Sequence, residues 1–263
     1  MNEGVTWLLN AAIPPSVFQR YITINMERGL EEIVQGERKE GALYIVCSGP
    51  SLRDTWQELL DENGKRRGEI WALNAAYDWL CDKGIKPDYG VALAPEDPIL
   101  HYFQKIEAGD KFMFAATTHP ELVDRAIGRN ASVTIWQSAQ PADWNLTVYP
   151  GPQVFGGGTV GTRAIDMAWI LGWRDLHILG MDACLSLDGR NSVYPDAPPI
   201  DRAKLQTFIC NGRAFVAMPS YARQVEDFAA ITRPLKDTAI TLYGDGLLQW
   251  SQMQPPESHK NAN

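Results

Sequence analysis

The segment Ser48-Gly49-Pro50-Ser51 directly follows a short apolar run at residues 42–47 and precedes a helical pattern. Gly49 allows a ligand to approach the backbone closely, and Pro50 suits the first turn of a helix. The Ser51 hydroxyl and the free amides of a helix N-terminus can bind an anion. The segment therefore predicts a phosphate site. An ordinary capped strand-to-helix turn uses the same residue types, so this alternative stays open.

Asn74 occupies the equivalent position after the next apolar run, at residues 69–73. In open α/β sheets, ligands bind at the carboxyl ends of the strands, where the amide of Asn74 could contact a ribose or a base. An asparagine there serves equally well as the N-cap of a helix. Asn74 is thus a candidate nucleotide-binding residue with a structural alternative.

A third segment, Gly156-Gly157-Gly158-Thr159-Val160-Gly161, matches the pattern G-x-G-x-x-G, and Asp182 ends the next apolar run. This pattern is typical of dinucleotide sites, in which a helix N-terminus holds the pyrophosphate and an acid binds the ribose hydroxyls. Only residues 153–155 precede the glycines as an apolar strand, so a glycine turn that serves helix-to-sheet packing is the alternative.

A polar, proline-rich stretch at residues 183–200 follows Asp182. A loop of this length in a compact domain is usually a lid, a binding loop or disordered. We predict a lid that covers the glycine segments and brings Asp188, Tyr194 or Asp196 to the substrate. We further predict that the turns at residues 48–52 and 156–161 face one shared ligand site, because parallel strands place such junctions at the same edge.

The elements that must position these residues form a regular alternation. Apolar runs at 42–47, 69–73, 89–93, 111–115, 132–136, 176–179 and 239–243 predict strands. Helical periodicity is present at 15–36, 52–62, 75–83, 97–107, 119–127, 160–171 and 219–233. Strands alternating with helices indicate a Rossmann-like α/β fold, with a mostly parallel sheet and helices on both faces.

Three segments fall outside this alternation. The helix at 15–36 predicts an N-terminal extension over residues 1–40, before a main domain at 41–253. The dipeptide Asn211-Gly212 between two apolar runs predicts a small β-hairpin. The tail at 254–263 has too few apolar residues to fold and is expected to be disordered.

Composition excludes several classes of protein. The chain has 263 residues and a formal net charge of −8, so nucleic acid is not an expected partner. Its four cysteines are far apart in the sequence and form no C-x-x-C pair, which argues against a zinc knuckle or a disulfide framework. No run approaches the ~18 apolar residues that cross a bilayer, and the N-terminus lacks the basic start of a signal peptide. A cytoplasmic protein is the expectation.

The segments GPSL at 49–52, LNAAYDWLCDKGIKPDY at 73–89 and FGGGTVGTRAIDMAWILGWRDLHILGMDA at 155–183 together resemble the MptE-like family. This family includes archaeal 6-hydroxymethyl-dihydropterin diphosphokinases, and its Maf relatives are implicated in flagellin glycosylation. Bacterial sialyltransferases that use CMP-sugars have a similar arrangement. The resemblance covers roughly residues 40–250 and implies nucleotide binding by the serine, asparagine and glycine segments described above.

The resemblance also raises the question of a metal. Family patterns often carry an Asp at the end of the strand after the I-x-P-D segment, whereas here the acids Glu96 and Asp97 are displaced along the chain. If Mg²⁺ is required, Glu96, Asp97 and Asp182 are the available ligands and candidate catalytic acids, because Mg²⁺ prefers carboxylates and substrate phosphates. Alternatively, Glu96 and Asp97 begin a helix, where its dipole favours them.

The leading hypothesis is a transferase that moves diphosphate from ATP to a pterin-like alcohol, as the resemblance implies. A glycosyltransferase with a CMP-sugar or another nucleotide-sugar is the close alternative. The glycines at 156–161 and Asp182 also leave open an NAD-type dinucleotide-binding protein, and binding without catalysis is a fourth possibility. The expected partners are a nucleotide and a small-molecule acceptor, and assembly into a homo-oligomer is left open.

Overall fold

A computed structural model describes residues 13–194 and 200–253 of the chain. Eleven strands are present in this part of the chain. In chain order they are β1 (Glu31–Glu32), β2 (Leu43–Val46), β3 (Glu69–Leu73), β4 (Tyr89–Ala92), β5 (Lys111–Ala115), β6 (Ser132–Ser138), β7 (Gln153–Val154), β8 (Asp175–Leu179), β9 (Gln206–Cys210), β10 (Arg213–Ala217) and β11 (Ala239–Leu242).

Nine of these strands form one sheet in the order β1-β6-β5-β4-β3-β2-β8-β11, with β7 pairing to the end of β6. Every pairing within this sheet is parallel. The chain builds the sheet outward from β2 to β6 in one direction and continues from β8 to β11 in the other. The direction therefore reverses between β2 and β8, which creates the crevice where open α/β sheets bind ligands.

The helices of the described chain are short to medium in length. They are α1 (Pro15–Met26), α2 (Leu52–Thr55), α3 (Ala76–Asp82), α4 (Pro120–Gly128), α5 (Val160–Ile170), α6 (Pro219–Thr232) and α7 (Leu247–Gln252), with 3-10 helices at Trp56–Leu59, Asp97–His101, Ala142–Trp144 and Arg202–Lys204. None of these helices is long and apolar enough to cross a membrane.

Both faces of the sheet are covered, because successive side chains of each strand point to opposite faces. On β2, Leu43 and Ile45 pack into a cluster with α5, α6 and α7, whereas Tyr44 and Val46 pack into a second cluster with residues of α1 to α4. All four side chains are buried. Apolar residues at consecutive positions are what a strand covered on both faces requires, and this confirms the predicted parallel α/β sheet.

The N-terminal helix is shorter than the helical spacing predicts. It ends at Met26, Gly29 follows with φ +65°, and the chain then pairs with the edge of the sheet as β1. Ile33 donates its amide to the Ile135 carbonyl (3.0 Å) and is buried in the core. The prediction of a helix to residue 36 is therefore wrong, since pairing with β6 takes the second half of the segment.

Other predictions had mixed outcomes. The seven predicted strands are all present, and the hairpin of β9 and β10 turns at Asn211-Gly212 as predicted. The predicted helix at 97–107 is only a 3-10 turn, and α7 was not predicted. The predicted disordered tail at 254–263 lies outside the described residues.

Candidate functional site

A cleft of about 350 Å³ lies at the reversal of the sheet, and we call it the nucleotide cleft. Residues that follow β2, β3, β4 and β8 line it, together with the start of α5 and one side of α6. The predicted residues that line it are Ser48, Gly49, Pro50, Asn74, Glu96, Gly158, Thr159, Gly161 and Asp182. The two glycine turns thus face one cleft, as predicted. Four other candidates, Ser51, Asp97, Gly157 and Tyr194, are not among its lining residues.

The turn after β2 is locked against the turn after β8. Gly49 donates its amide to the Gly180 carbonyl (2.9 Å), and the Ser51 amide donates to Asp182 Oδ2 (2.9 Å). A Cβ atom on Gly49 would lie 2.3 Å from the Gly180 oxygen and 2.5 Å from Asp182 Oδ2. The structure thus corrects the interpretation of free amides at residues 49–51, because the amides of Gly49 and Ser51 already have partners within the protein. Gly49 is needed for packing between the two turns.

Asp182 connects this turn to the start of α7. Its side chain is buried, and its backbone oxygen accepts from the Leu248 amide (3.2 Å). Asp182 Oδ1 and the Ser51 hydroxyl oxygen are buried without a hydrogen-bond partner among the described residues. Burial raises the pKa of the Asp182 carboxyl, and the hydrogen bond from the Ser51 amide opposes that rise. Asp182 therefore organises the wall of the cleft.

The first turn of α5 is the part of the cleft best suited to an anion. Thr159 is the N-cap, and its hydroxyl accepts from the Thr162 amide (3.4 Å). The helix has no carbonyl in a position to accept a hydrogen bond from the amides of Val160 and Gly161. A helix of this length carries partial positive charge at its N-terminus, so these amides can bind a phosphate from the cleft.

The glycines of this turn have different roles. A Cβ atom on Gly161 would lie 2.6 Å from Met181 Cε, so this glycine permits helix-to-strand packing. Gly157 has φ +75°, and a Cβ atom there would collide with the Asp227 carboxylate at 2.0 Å. At Gly158, a Cβ atom would meet no atom within 4 Å, although the residue lines the cleft. Only Gly158 therefore leaves space that a ligand can use.

Asn74 has a backbone conformation that few residues other than glycine adopt. Its φ is +49°, its amide donates to the Val91 carbonyl (3.0 Å), and its Oδ1 atom is buried without a hydrogen-bond partner in the described chain. Left-handed conformations at residues other than glycine are uncommon and often occur at functional sites. Asn74 lines the cleft, and its contact with a ligand stays a prediction.

The predicted acids do not form one cluster. Glu96 lines the cleft, whereas the Asp97 side chain is 88% exposed and lies 3.6 Å from His119 Nε2. Asp97 begins the 3-10 turn after Glu96, as the alternative interpretation of these acids proposed. Among residues 13–194 and 200–253, no group of three or more His, Cys, Asp and Glu side chains is arranged to hold a metal ion.

The first half of the predicted lid is anchored beside the cleft. Val193 donates its amide to the Ser48 carbonyl (2.8 Å), and the Tyr194 hydroxyl donates to the Ala75 carbonyl (3.1 Å). Asp188 pairs with Arg190 (2.9 Å) and lies 3.6 Å from Arg53. Asn191 reaches the cleft lining. Residues 195–199, including the candidate Asp196, are outside the described chain.

Two groups in and around the cleft were missed by sequence reasoning. Tyr221 and Gln224 of α6 line the cleft, and no local pattern marks them as different from the other polar residues of that helix. Arg163 of α5 is 1% exposed and donates to the carbonyls of Gly157 (2.9 Å), Val154 (2.7 Å) and Ala139 (2.9 Å). It therefore fixes the glycine turn from beneath.

The sheet is parallel and doubly wound, with a cleft at its reversal and a helix N-terminus in that cleft. This arrangement is typical of proteins that bind nucleotides. The MptE-like family, described as 6-hydroxymethylpterin diphosphokinase MptE-like, matches residues 20–188. The chain belongs to this family. Family and fold together support a nucleotide-related transferase.

A solved structure shows the same fold. The Maf glycosyltransferase from Magnetospirillum magneticum AMB-1 superimposes with a TM-score of 0.63 at 18% identity, over 92% of this chain and 39% of that chain. The present chain therefore spans well under half of that protein. A mammalian sialyltransferase in complex with Gal-beta-1-3GalNAc-ortho-nitrophenol aligns with a TM-score of 0.40 at 9% identity, over 89% of this chain and 87% of that chain. No curated protein sequence gives a significant match.

Proposed function

We propose that the chain binds a nucleoside triphosphate in the nucleotide cleft and transfers diphosphate from it to a pterin-like alcohol. The observation that carries this proposal is the open space at Gly158, directly beside the N-terminus of α5 at the reversal of the sheet. The Gly158 amide itself donates to Asp227 Oδ2 (3.3 Å), so a phosphate that enters this space would contact the amides of Val160 and Gly161 at the start of α5. The family description supports the choice of acceptor.

The proposed reaction forms one bond and breaks one. The hydroxyl oxygen of the acceptor bonds to the β-phosphorus of ATP, and the bond from that phosphorus to the oxygen bridging to the α-phosphorus breaks. AMP leaves with the electron pair, and the hydroxyl proton passes to a base or to solvent. Such transfers depend mainly on positioning and on stabilising phosphate charge, so preorganised amides suit them.

The lining suggests a role for each group. The amides at the start of α5 would bind the phosphates, and the buried Oδ1 atom of Asn74 would accept a hydrogen bond from a ribose hydroxyl. Tyr221 and Gln224 lie where they could contact the base or the ribose. Asp182 would hold the turn of residues 48–50 in the shape that the ligand requires.

Mg²⁺ fits this lining, because one or two carboxylates plus substrate phosphates are its usual ligands. Glu96, on the cleft wall, would hold it together with the phosphate oxygens. No Lys or Arg lines the described part of the cleft, so the amides alone would face the full charge of a triphosphate. When bound, the ion would neutralise part of that charge.

Glycosyl transfer from a nucleotide-sugar is the second candidate, because the Maf glycosyltransferase has the same fold. In that reaction the acceptor oxygen bonds to the anomeric carbon, and the bond from that carbon to the phosphate oxygen of the nucleotide breaks. The nucleotide leaves with the electron pair, and the hydroxyl proton passes to a base or to solvent. Thermal midpoints with ATP, CMP, GDP-sugar and NAD, each with and without Mg²⁺, separate the two reactions from an NAD-type site. A ligand at 100 times its dissociation constant stabilises the protein by about 2.7 kcal/mol.

Replacing Gly158 with valine tests the cleft directly. The added side chain would occupy the open space at the phosphate position, so we expect ATP affinity to fall at least about tenfold in a calorimetric titration, equivalent to about 1.4 kcal/mol. Gly128→Val is the matched control, because a Cβ atom at Gly128 also meets no atom within 4 Å and that residue ends α4, away from the cleft. Equal ATP affinity in the two variants would contradict the proposed phosphate position.

A further inference from the structure

A second cavity of about 330 Å³ lies at the same edge of the sheet, where β5 and β6 end and β7 begins. We call it the neutral cavity, because none of the described residues that line it is charged. Thr117, Ser138, Gln140 and Thr147 supply polar groups, and Ile22 of α1 contributes an apolar wall. Nothing in the proposed nucleotide site uses these residues.

The wall of the neutral cavity is held in place by specific contacts. The Gln137 amide group donates to the Pro150 carbonyl (3.0 Å) and accepts from the Tyr149 amide (3.1 Å), which fixes the connection after β6. Gln19 of α1 accepts from the Thr147 amide (2.7 Å) at the other end of this wall. A binding site with fixed walls needs little ordering when its ligand arrives.

The polar groups in this cavity define the ligand that it fits. Gln140 donates to the Ser138 hydroxyl, and its Oε1 atom is buried without a hydrogen-bond partner among the described residues. A buried carbonyl oxygen without a partner is costly, so a ligand that donates to it gains affinity. A charged ligand would lose its hydration without finding an opposite charge on this wall.

The nucleotide cleft and the neutral cavity meet at the ends of two adjacent strands, β4 and β5. The Thr117 hydroxyl, in the neutral cavity, donates to the Leu93 carbonyl (3.2 Å), and Leu93 lines the nucleotide cleft. Adjacent strands lie about 4.8 Å apart, so a molecule bound in one site can reach the other with a short substituent.

We propose that the neutral cavity binds the uncharged ring of the acceptor, with the reactive hydroxyl extending over Leu93 toward the nucleotide. This inference rests on the proposed function and names the site of its second substrate. The ligand is an uncharged ring with several hydrogen-bonding groups, a chemistry that a pterin-type heterocycle and a pyranose sugar share.

The test is a calorimetric titration of the full chain with 6-hydroxymethylpterin and, separately, with methyl glucoside. We expect one of the two to bind saturably, which identifies the source of the ring. Gln140→Leu should weaken that ligand at least about fivefold, since it removes a hydrogen bond to the ring. Gln57→Leu, on the exposed face of a 3-10 helix outside both sites, is the matched control and should leave affinity unchanged.

A second variant protects the test against a local folding defect. Ala142 is exposed and lines the neutral cavity, so Ala142→Phe should block the ring while the thermal midpoint stays that of the wild type. Wild-type ring affinity in both variants, or no binding of either ring by the wild type, would overturn the inference even if ATP binds. If the wild type binds a ring, the variants weaken that binding and ATP does not bind, the proposed function is contradicted while the ring site stands.

Discussion

Asp182 lies at the point where the cleft wall, the turn after β2 and the start of α7 meet. It is 4% exposed, and burial raises the pKa of its carboxyl. A carboxyl whose pKa is raised on folding destabilises the protein when it is ionised. As the pH rises, the loss of stability begins near the unfolded pKa of about 3.9 and is complete above the folded pKa. An acid held in an ion pair has the opposite effect on stability, because its ionised form stabilises the folded chain.

Asp182→Asn should therefore be more stable than the wild type at pH 7, and the difference should close as the pH falls to 4. An asparagine keeps one oxygen for the Ser51 amide but carries no charge into the buried position. Urea unfolding at the two pH values measures the effect. Asp143→Asn is the control, because that side chain is exposed on a 3-10 helix. A stability difference that persists unchanged at pH 4 would contradict the raised pKa.

At the scale of single elements, α5 has amides at its start that lack partners within the helix, and a buried cation in its first turn. Burial lowers the pKa of the Arg163 guanidinium to about 10, so the group remains charged at neutral pH. Its three carbonyl partners come from the glycine turn, β7 and the chain after β6. One side chain thus joins α5 to the strands on which its phosphate-binding end depends.

Arg163→Met should destabilise the chain by roughly 3 kcal/mol, because it leaves buried carbonyls without donors. Arg129→Met is a matched control, since Arg129 also donates to backbone carbonyls, of Gln104 and Ile106, but is exposed. We expect that change to cost under about 1 kcal/mol, because water replaces the lost donors. Equal losses in urea unfolding would show that burial of Arg163 has no energetic role.

The strands could be predicted because each is a short apolar run, and two covered faces require apolar residues at consecutive positions. The path of residues 27–36 could not be predicted in this way, because Leu30 and Ile33 have helical spacing. Only pairing with β6 makes part of this segment a strand. The glycine turn was identified correctly as part of the cleft. Its division into packing glycines and the open Gly158 depends on atoms that meet only in the folded chain.

The residues that α6 contributes to the cleft could not be predicted from the sequence either. Tyr221 and Gln224 reach the cleft because of the way that α6 packs against α5, and their spacing alone carries no such information. The predicted free amides at residues 49–51 failed for a related reason. Their partners, Gly180 and Asp182, lie far away in sequence at the end of β8.

At the scale of the whole molecule, both proposed sites lie at the carboxyl edge of one parallel sheet. The opposite edge carries a separate polar cluster in which Asp110 accepts from Lys86 (2.7 Å) and from the Tyr77 hydroxyl. The molecule therefore divides into a binding edge and an edge whose polar contacts are internal to the fold.

Hydrogen exchange in the presence of ATP and Mg²⁺ should reflect this division. We expect slower exchange at residues 158–161, whose first amides have no partner within α5, and at residues 191–194 beside them. Peptides that cover 107–111 and α4 should exchange as they do without ligand. Protection confined to α4 or to the Asp110 segment would place the nucleotide elsewhere.

The order of strands also has a consequence for synthesis on the ribosome. Strands β2 to β6 can pair as they emerge, and β1 then closes the far edge, where Glu31 pairs with Thr134. The other edge of β2 stays unpaired until β8 has been made, and unpaired strand edges are where chains associate wrongly. The nucleotide cleft forms across this same late junction. A nascent or truncated chain that ends before β8 would therefore lack the cleft and expose an aggregation-prone edge.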